Sequence, residues 1–254
     1  MGTLDGRTIL VTGASKGIGK CIAELLGNQG ANVIAQYGND YAGVLEATES
    51  IPVERKLLIQ ADFEDPNAYK QLWIEALEWK GQIDVLIANA AVMPEAALTD
   101  SDEEWKNAWI KSFQVNSTSP AFLIREAVLH FLKVGGGNII GISSWAAQRG
   151  SGNPKLGAYA ASKAPIATLL KTVARAYGKN GIYCYIIAPG IVRTAMSESS
   201  ARSTVGEAAI TTSLAMKEWV PPSDVAELVA FLSTGNHRQL TGNTFDINGA
   251  SYIR

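Results

Sequence analysis

The chain has little of what metal sites and disulfide scaffolds are made from. Its 254 residues hold two cysteines, Cys21 and Cys184, and two histidines, His130 and His237. Neither pair has metal-ligand spacing, and two reduced, inert thiols are expected rather than a disulfide framework. His130 sits in the helix-like run Ala-Val-Leu-His-Phe-Leu, which leaves little room for a histidine-centred triad. Charge of one sign is not in excess either, since 22 basic residues against 24 acidic give a net charge of −2. That balance excludes a nucleic-acid footprint, and no polybasic cluster marks an anionic membrane surface. No apolar run approaches the ~18 residues of a membrane span. Ile9-Leu10-Val11 is too short for the apolar segment of a signal peptide, and Gly6 stands where a myristoylation signal prefers Ser or Thr. A cytoplasmic protein is expected, with neither nucleic acid nor membrane as a partner.

What the chain does have is regular alternation. Short aliphatic runs predict strands at Thr8–Thr12, Asn32–Gln36, Lys56–Gln60, Val85–Ala88, Asn138–Ser143, Tyr183–Ala188 and Thr244–Ile247. Several are apolar almost throughout, as strands buried on both faces must be. Between them lie helix patterns: from Gly17 to Leu26, over Asn67–Trp79, from the caps Asp100/Ser101 towards Asn116, then Pro120–Leu132, Ala158–Tyr177 and Asp224–Leu232. Strand and helix in alternation predict a doubly wound parallel seven-stranded sheet with helices on both faces. Residues 1–254 form one domain in this reading. Only Thr194–Lys217, rich in Ser, Ala and Thr, lacks a pattern, and a mobile substrate flap is expected over 194–217.

Two short runs carry chemistry. In Thr12-Gly13-Ala14-Ser15-Lys16-Gly17-Ile18-Gly19, three glycines follow the first strand and open a helix. Lacking Cβ atoms, they allow a tight turn and close ligand approach, and the helix N-terminus offers unpaired N–H groups to a phosphate. Downstream, Tyr159 and Lys163 stand four residues apart in Tyr-Ala-Ala-Ser-Lys, on one helix face. A nearby ammonium is expected to lower the phenol from its ordinary value near 10, so that it can exchange a proton near neutral pH.

With Asn89-Ala90-Ala91 after the fourth strand, Asn116, Ser144 and Pro189-Gly190-Ile191-Val192-Arg193-Thr194, these runs resemble the short-chain dehydrogenase/reductase family in its short single-domain branch. The likeness covers essentially the whole chain and implies a Rossmann-type fold. It also implies a catalytic set of Asn116, Ser144, Tyr159 and Lys163. Tyr159 would be the general acid/base, Ser144 would hold the substrate oxygen, Lys163 would bond the nicotinamide ribose, and Asn116 would sit at a helix irregularity and order a proton relay. Dinucleotide contacts are implied at Gly13, Ser15, Lys16, Gly17, Ile18, Gly19, Tyr37, Asp62, Asn89, Tyr159, Lys163, Pro189, Gly190, Val192 and Thr194, with Asp62 at the adenine. Departures stand at Ala88 and Ala91, where the family has Asn and Gly, at Tyr185, and at Pro165, which predicts a kink.

The second strand ends at Tyr37 where an acid would bind a free ribose 2′-hydroxyl, and Lys16 could meet a 2′-phosphate. NADP(H) is favoured, with NAD(H) possible because Asp40 follows closely. Val92, Met93, Trp145, Ile191 and Met196 are expected around a carbonyl or secondary-alcohol substrate, with Gln148 and Arg149 adding polarity. Relatives' habits imply a homotetramer. An NAD-dependent alcohol dehydrogenase, or a silent dinucleotide-binding regulator on the same fold, are the alternatives.

Overall fold

A computed structural model describes residues 2–253. Its strands are β1 (Thr8–Val11), β2 (Asn32–Tyr37), β3 (Lys56–Gln60), β4 (Val85–Ala88), β5 (Gly137–Ile142), β6 (Ile182–Pro189) and β7 (Thr244–Ile247). All pair in parallel in the order β3-β2-β1-β4-β5-β6-β7. The order reverses between β1 and β4, where a crevice opens at the carboxyl ends of the strands.

Alternation along each strand divides the core in two. Ile9 and Val11 of β1 face one apolar cluster with Ala23, Leu26, Val225 and Val229, while Leu10 between them faces another with Leu72, Leu123, Phe131 and Leu170. The first layer holds α1 (Gly17–Asn28), α2 (Tyr41–Ala47) and a later helix, Pro222–Ser233; the second holds α3 (Ala68–Lys80), the pair α4 (Asp102–Phe113) and α5 (Ser119–Val134), and a helix over Ala164–Tyr177. Local chemistry sets several ends. Ser101 and Glu104 form a reciprocal capping box that starts α4, while α3 and α5 stop at Gly81 (φ +71°) and Gly135 (φ +90°), in the left-handed region that favours glycine.

The helix expected over Ala158–Tyr177 is two. Numbered after the short α6 (Ala146–Arg149), α7 (Gly157–Ser162) ends at Lys163 and α8 (Ala164–Tyr177) begins with Pro165 in its first turn. The proline ring cannot donate to Ala161, so the break falls beside the reactive residues. Buried hydroxyls fasten it, Ser117 donating to the Ser162 carbonyl (2.7 Å) and Ser143 to that of Lys163 (2.8 Å).

The stretch expected to lack pattern is also helical. Residues 194–217 carry α9 (Ala195–Arg202) and α10 (Glu207–Ser213), ahead of α11 (Pro222–Ser233). Ala201, Leu214 and Trp219 form a small core there with Trp145, Ile191 and Ile210. Arg193 binds Glu207 at 2.6 Å and lies 4.8 Å from the Trp219 ring, whose Nε1 donates to Thr211 at 2.8 Å. No helix among the described residues is long and apolar enough to cross a membrane.

Candidate active site

The glycine turn between β1 and α1 is built for close contact. Gly13 and Gly17 have φ of +68° and +51°, and a Cβ on Gly19 would come within 2.0 Å of the Gly13 carbonyl oxygen. Side chains of neighbouring strands hold the turn open. Gln36 accepts from the Gly13 N–H at 2.7 Å and donates to the Ala61 carbonyl at 2.6 Å. Asn89 donates to the carbonyl of Thr12 at 2.8 Å, while the Thr12 hydroxyl accepts from the N–H groups of Asn89 and Ala90, each at 3.0 Å. The turn therefore presents its N–H groups to a cleft of about 380 Å³.

That cleft is lined by Gly13, Ser15, Lys16, Gly17, Ile18, Gly19, Asp62, Asn89, Ser144, Tyr159, Lys163, Pro189, Gly190, Val192 and Thr194, nearly all the residues implicated from the sequence. Tyr37 is a correction. Its side chain is 9% exposed, belongs to the core and packs against Tyr41 at 5.7 Å, because alternation along β2 turns Gln36 to the glycine turn and Tyr37 away from it. Gly38 and Asn39 line the cleft in its place. Lys16 is likewise not a solitary cation. It lies 3.2 Å from Asp40, whose carboxyl is held below its usual range by the Gly43 N–H and by Lys16.

A second chamber, of about 370 Å³, adjoins the cleft, and Ser144, Tyr159, Gly190 and Ser197 line both. Met93, Trp145, Ile191 and Arg149 line this chamber as expected; Val92 and Met196 belong to the first cleft, and Gln148 lines neither.

On the shared wall, the Ser144 hydroxyl lies near that of Tyr159 and favours its ionised form, and Ser144 accepts from the Ala146 N–H at 3.1 Å. Ser143 turns the other way, onto the Lys163 carbonyl. Lys163, 5% exposed, donates through Nζ to the Ile142 carbonyl at 2.6 Å. The ammonium was expected to lower the phenol, but burial dominates. Desolvation pushes Tyr159 up, opposed by the Ser144 hydroxyl, and brings Lys163 down to about 8. With the Lys163 ammonium on a backbone carbonyl, Tyr159 rests as the neutral proton donor.

Asn116 does not join this group by its side chain. It sits in a π-helical turn, Gln114–Thr118, between α4 and α5, the helix irregularity expected for it. Its Oδ1 accepts from the Val92 N–H at 2.8 Å, and Nδ2 donates to the Val92 carbonyl and the Ser162 hydroxyl, each at 2.9 Å. With both amide hydrogens used, the side chain clamps the β4 loop to the end of α7. Gln36, Ser117 and Ser162 were missed from the sequence. Gln36 was the findable one, a polar side chain directly after the apolar run Val33-Ile34-Ala35. No cluster of potential metal ligands occurs among the described residues.

Comparison with known proteins agrees with this geometry. A family model described as enoyl-(acyl carrier protein) reductase matches residues 13–250. The versicolorin reductase stcU of Emericella nidulans is 31% identical over 98% of this chain and 97% of its own. The oxidoreductase UcpA of Salmonella typhimurium is 33% identical over 100% and 97%. A short-chain dehydrogenase from Burkholderia cenocepacia, solved in complex with NADP, superposes with a TM-score of 0.88 at 29% identity, covering 98% of this chain and 99% of that one. The chain belongs to the short-chain dehydrogenase/reductase family and is an NAD(P)-dependent oxidoreductase. The glycine turn, which lines the cleft at the N-terminus of α1, fits the dinucleotide's phosphates.

Proposed function

We infer that the protein interconverts a carbonyl and a secondary alcohol with a preference for NADP(H), using Tyr159 as general acid in reduction and general base in oxidation. The carrying observation is the Tyr159–Ser144 hydroxyl pair on the wall shared by the two cavities, beside the buried Lys163. The nicotinamide cofactor supplies the hydride in reduction and takes it in oxidation. Tyr159 gives its proton to the substrate oxygen, and Ser144 orients that oxygen by a hydrogen bond. Lys163 would hold the cofactor's ribose and, with burial bringing its pKa down to about 8, would return a proton towards the phenolate. Asn116 acts as a positioning residue through Val92 and Ser162.

The preference for NADP(H) is supported by Gly38 and Asn39, which leave the end of β2 without an acid, and by Lys16 at the same end of the cleft. The Burkholderia relative bound to NADP agrees with it. One observation favours NAD(H): the ionised Asp40 beside Lys16 offsets the charge available to a 2′-phosphate. Comparing kcat/KM for NADPH and NADH decides, and a clear NADH preference overturns the first reading. Assembly as a homotetramer is supported by apolar side chains left exposed on α4 and α5, among them Trp109, Ile110 and Phe122. A monomer by light scattering at micromolar concentration would refute it. A cytoplasmic location is part of the same reading.

A further inference from the structure

Among the described residues, the second chamber has one charged side chain in its wall. Ser, Thr, Asn and apolar residues make up the rest, and Arg149, at the end of α6, is the exception. Among the described residues Arg149 pairs with no carboxylate. Aromatic rings hold it instead: its guanidinium carbon lies 4.7 Å from the Trp145 ring and 6.0 Å from that of Tyr252. Stacking of this kind uses the faces of the guanidinium and leaves its edge N–H groups for a planar acceptor. The side chain is solvent-exposed where it lines the chamber and has rings rather than a carboxylate beside it, so its charge is open to an incoming anion.

An independent observation in the same wall points the same way. Asn153 lines the chamber, and its Oδ1 accepts from the Lys155 N–H at 3.0 Å, which fixes which end of the amide is which. Its Nδ2 is then buried with no acceptor. Native proteins seldom leave such a donor unsatisfied, because the loss of water is not repaid. Gly150 (φ +76°) and Gly152 precede it, giving the loop 149–156 the backbone freedom to bring that donor onto a bound oxygen. One guanidinium with one neutral amide balances a single negative charge.

We propose that the substrate is an oxo acid, or the corresponding hydroxy acid, whose carboxylate binds Arg149 and Asn153 while its reacting carbon lies at Tyr159 and Ser144. The intervening body is apolar, matching Trp145, Ile191 and Val205 in the chamber wall. Arg149 follows Ser144 by the length of α6, so the carboxylate is remote from the ketone and not adjacent to it. The proposal rests on the carbonyl-reducing reading above and goes beyond it by naming the substrate class.

The test is a series of oxo acids of increasing chain length, each beside its methyl ester, assayed with the wild type and with Arg149→Gln. The expected result is a kcat/KM favouring the acid by roughly tenfold to a hundredfold at the best chain length, from a charge-assisted hydrogen bond. Arg149→Gln should abolish that ratio through KM while leaving the esters within about threefold. Turnover of neutral ketones with no preference for acids, or a ratio unchanged in Arg149→Gln, would overturn the proposal and leave the reductase reading intact. Binding of a non-reacting arylalkanoate and of its amide, followed by calorimetry, separates the two failures. If no carbonyl is turned over but the carboxylate binds more tightly than the amide and loses that advantage in Arg149→Gln, the reductase reading fails and the anion site stands. Equal binding of acid and amide would remove the site whatever the turnover. Asn153→Ala provides a second variant, expected to lower the ratio less than Arg149→Gln does.

Discussion

The two halves of the active site are built from different materials. The dinucleotide cleft rests on strand ends and on the glycine turn, which Thr12, Gln36 and Asn89 brace with hydrogen bonds. The substrate chamber is walled by α6, the loop 149–156, α9 and α10, and side-chain contacts among Arg193, Glu207 and Trp219 hold its outer part. A rigid sheet edge can present the same contacts in every relative, whereas helices on surface loops can change shape without disturbing the sheet. In the function proposed above, one half carries the dinucleotide chemistry, and the other carries the choice of substrate.

Several substitutions would break or sharpen that contrast. The largest effect is expected at the shared wall, where Tyr159→Phe should reduce kcat by about 10²- to 10⁴-fold. Dinucleotide affinity, read by quenching of tryptophan fluorescence, should stay within a few-fold; a parallel loss of affinity would make Tyr159 a binding residue instead. Next comes the cradle. A side chain at Gly19 must displace the Gly13 carbonyl, so Gly19→Val should weaken dinucleotide binding roughly a hundredfold, about 2.7 kcal/mol. Normal affinity in that variant would mean that the turn yields and is not rigid.

Buried Lys163 supplies a pH test. Its folded value of about 8 lies below the ordinary lysine value of 10.5, so the unfolded chain binds the extra proton between those limits. Lys163 therefore costs stability in full below about pH 8, and the cost disappears as pH rises towards 10.5. Cys184 and Tyr185, both pushed up to about 12, act in the opposite sense at higher pH, so the comparison must be with Lys163→Met. Urea denaturation should show the wild type gaining on that variant across the window, by at most about 3 kcal/mol. A difference independent of pH would show that Lys163 keeps its ordinary value.

The smallest effect belongs to the substrate side. Arg193→Gln removes half-exposed ion pairs and a ring contact, so its cost in global stability should be about 1 kcal/mol or less. The KM for substrate should nonetheless rise several-fold while the Kd for dinucleotide is unchanged. If both rise together, the two halves are not separable in this way.

The same contrast explains what could be read from the sequence. β6 was expected at Tyr183–Ala188 and runs over Ile182–Pro189, because a strand buried on both faces is apolar along its length. The glycine spacing and the Tyr159/Lys163 pair were legible because each is a local requirement on the backbone. Tyr37 was misassigned because the face of β2 that meets the cofactor depends on strand phase at its final residue. Helix α2 was missed because Asp40, its N-cap, was considered as a ribose ligand only. Helices α9 and α10 escaped because Ser, Ala and Thr give them no clear apolar stripe, and their partners Trp145, Ile191 and Trp219 lie in other segments. Arg149 was legible as a source of polarity near the substrate, either holding an acid or sitting in solvent; what the fold adds is the Trp145 and Tyr252 rings beside it.

Thr194 belongs to both halves. Its Cγ2 lies 2.9 Å from where a Cβ on Gly17 would stand, and its hydroxyl accepts from the Ser197 N–H at 3.3 Å to start α9. One chamber thus begins on the floor of the other. Occupancy of the phosphate turn and placement of α9 are then thermodynamically linked, and linkage is reciprocal: whatever factor the dinucleotide adds to substrate affinity, the substrate returns. Where that factor is large, substrate binds appreciably only after the dinucleotide, and the steady-state expectation is an ordered addition, nucleotide first and last to leave. Product-inhibition patterns should be competitive only between the oxidised and reduced dinucleotides, and Thr194→Ala should relax them towards random order.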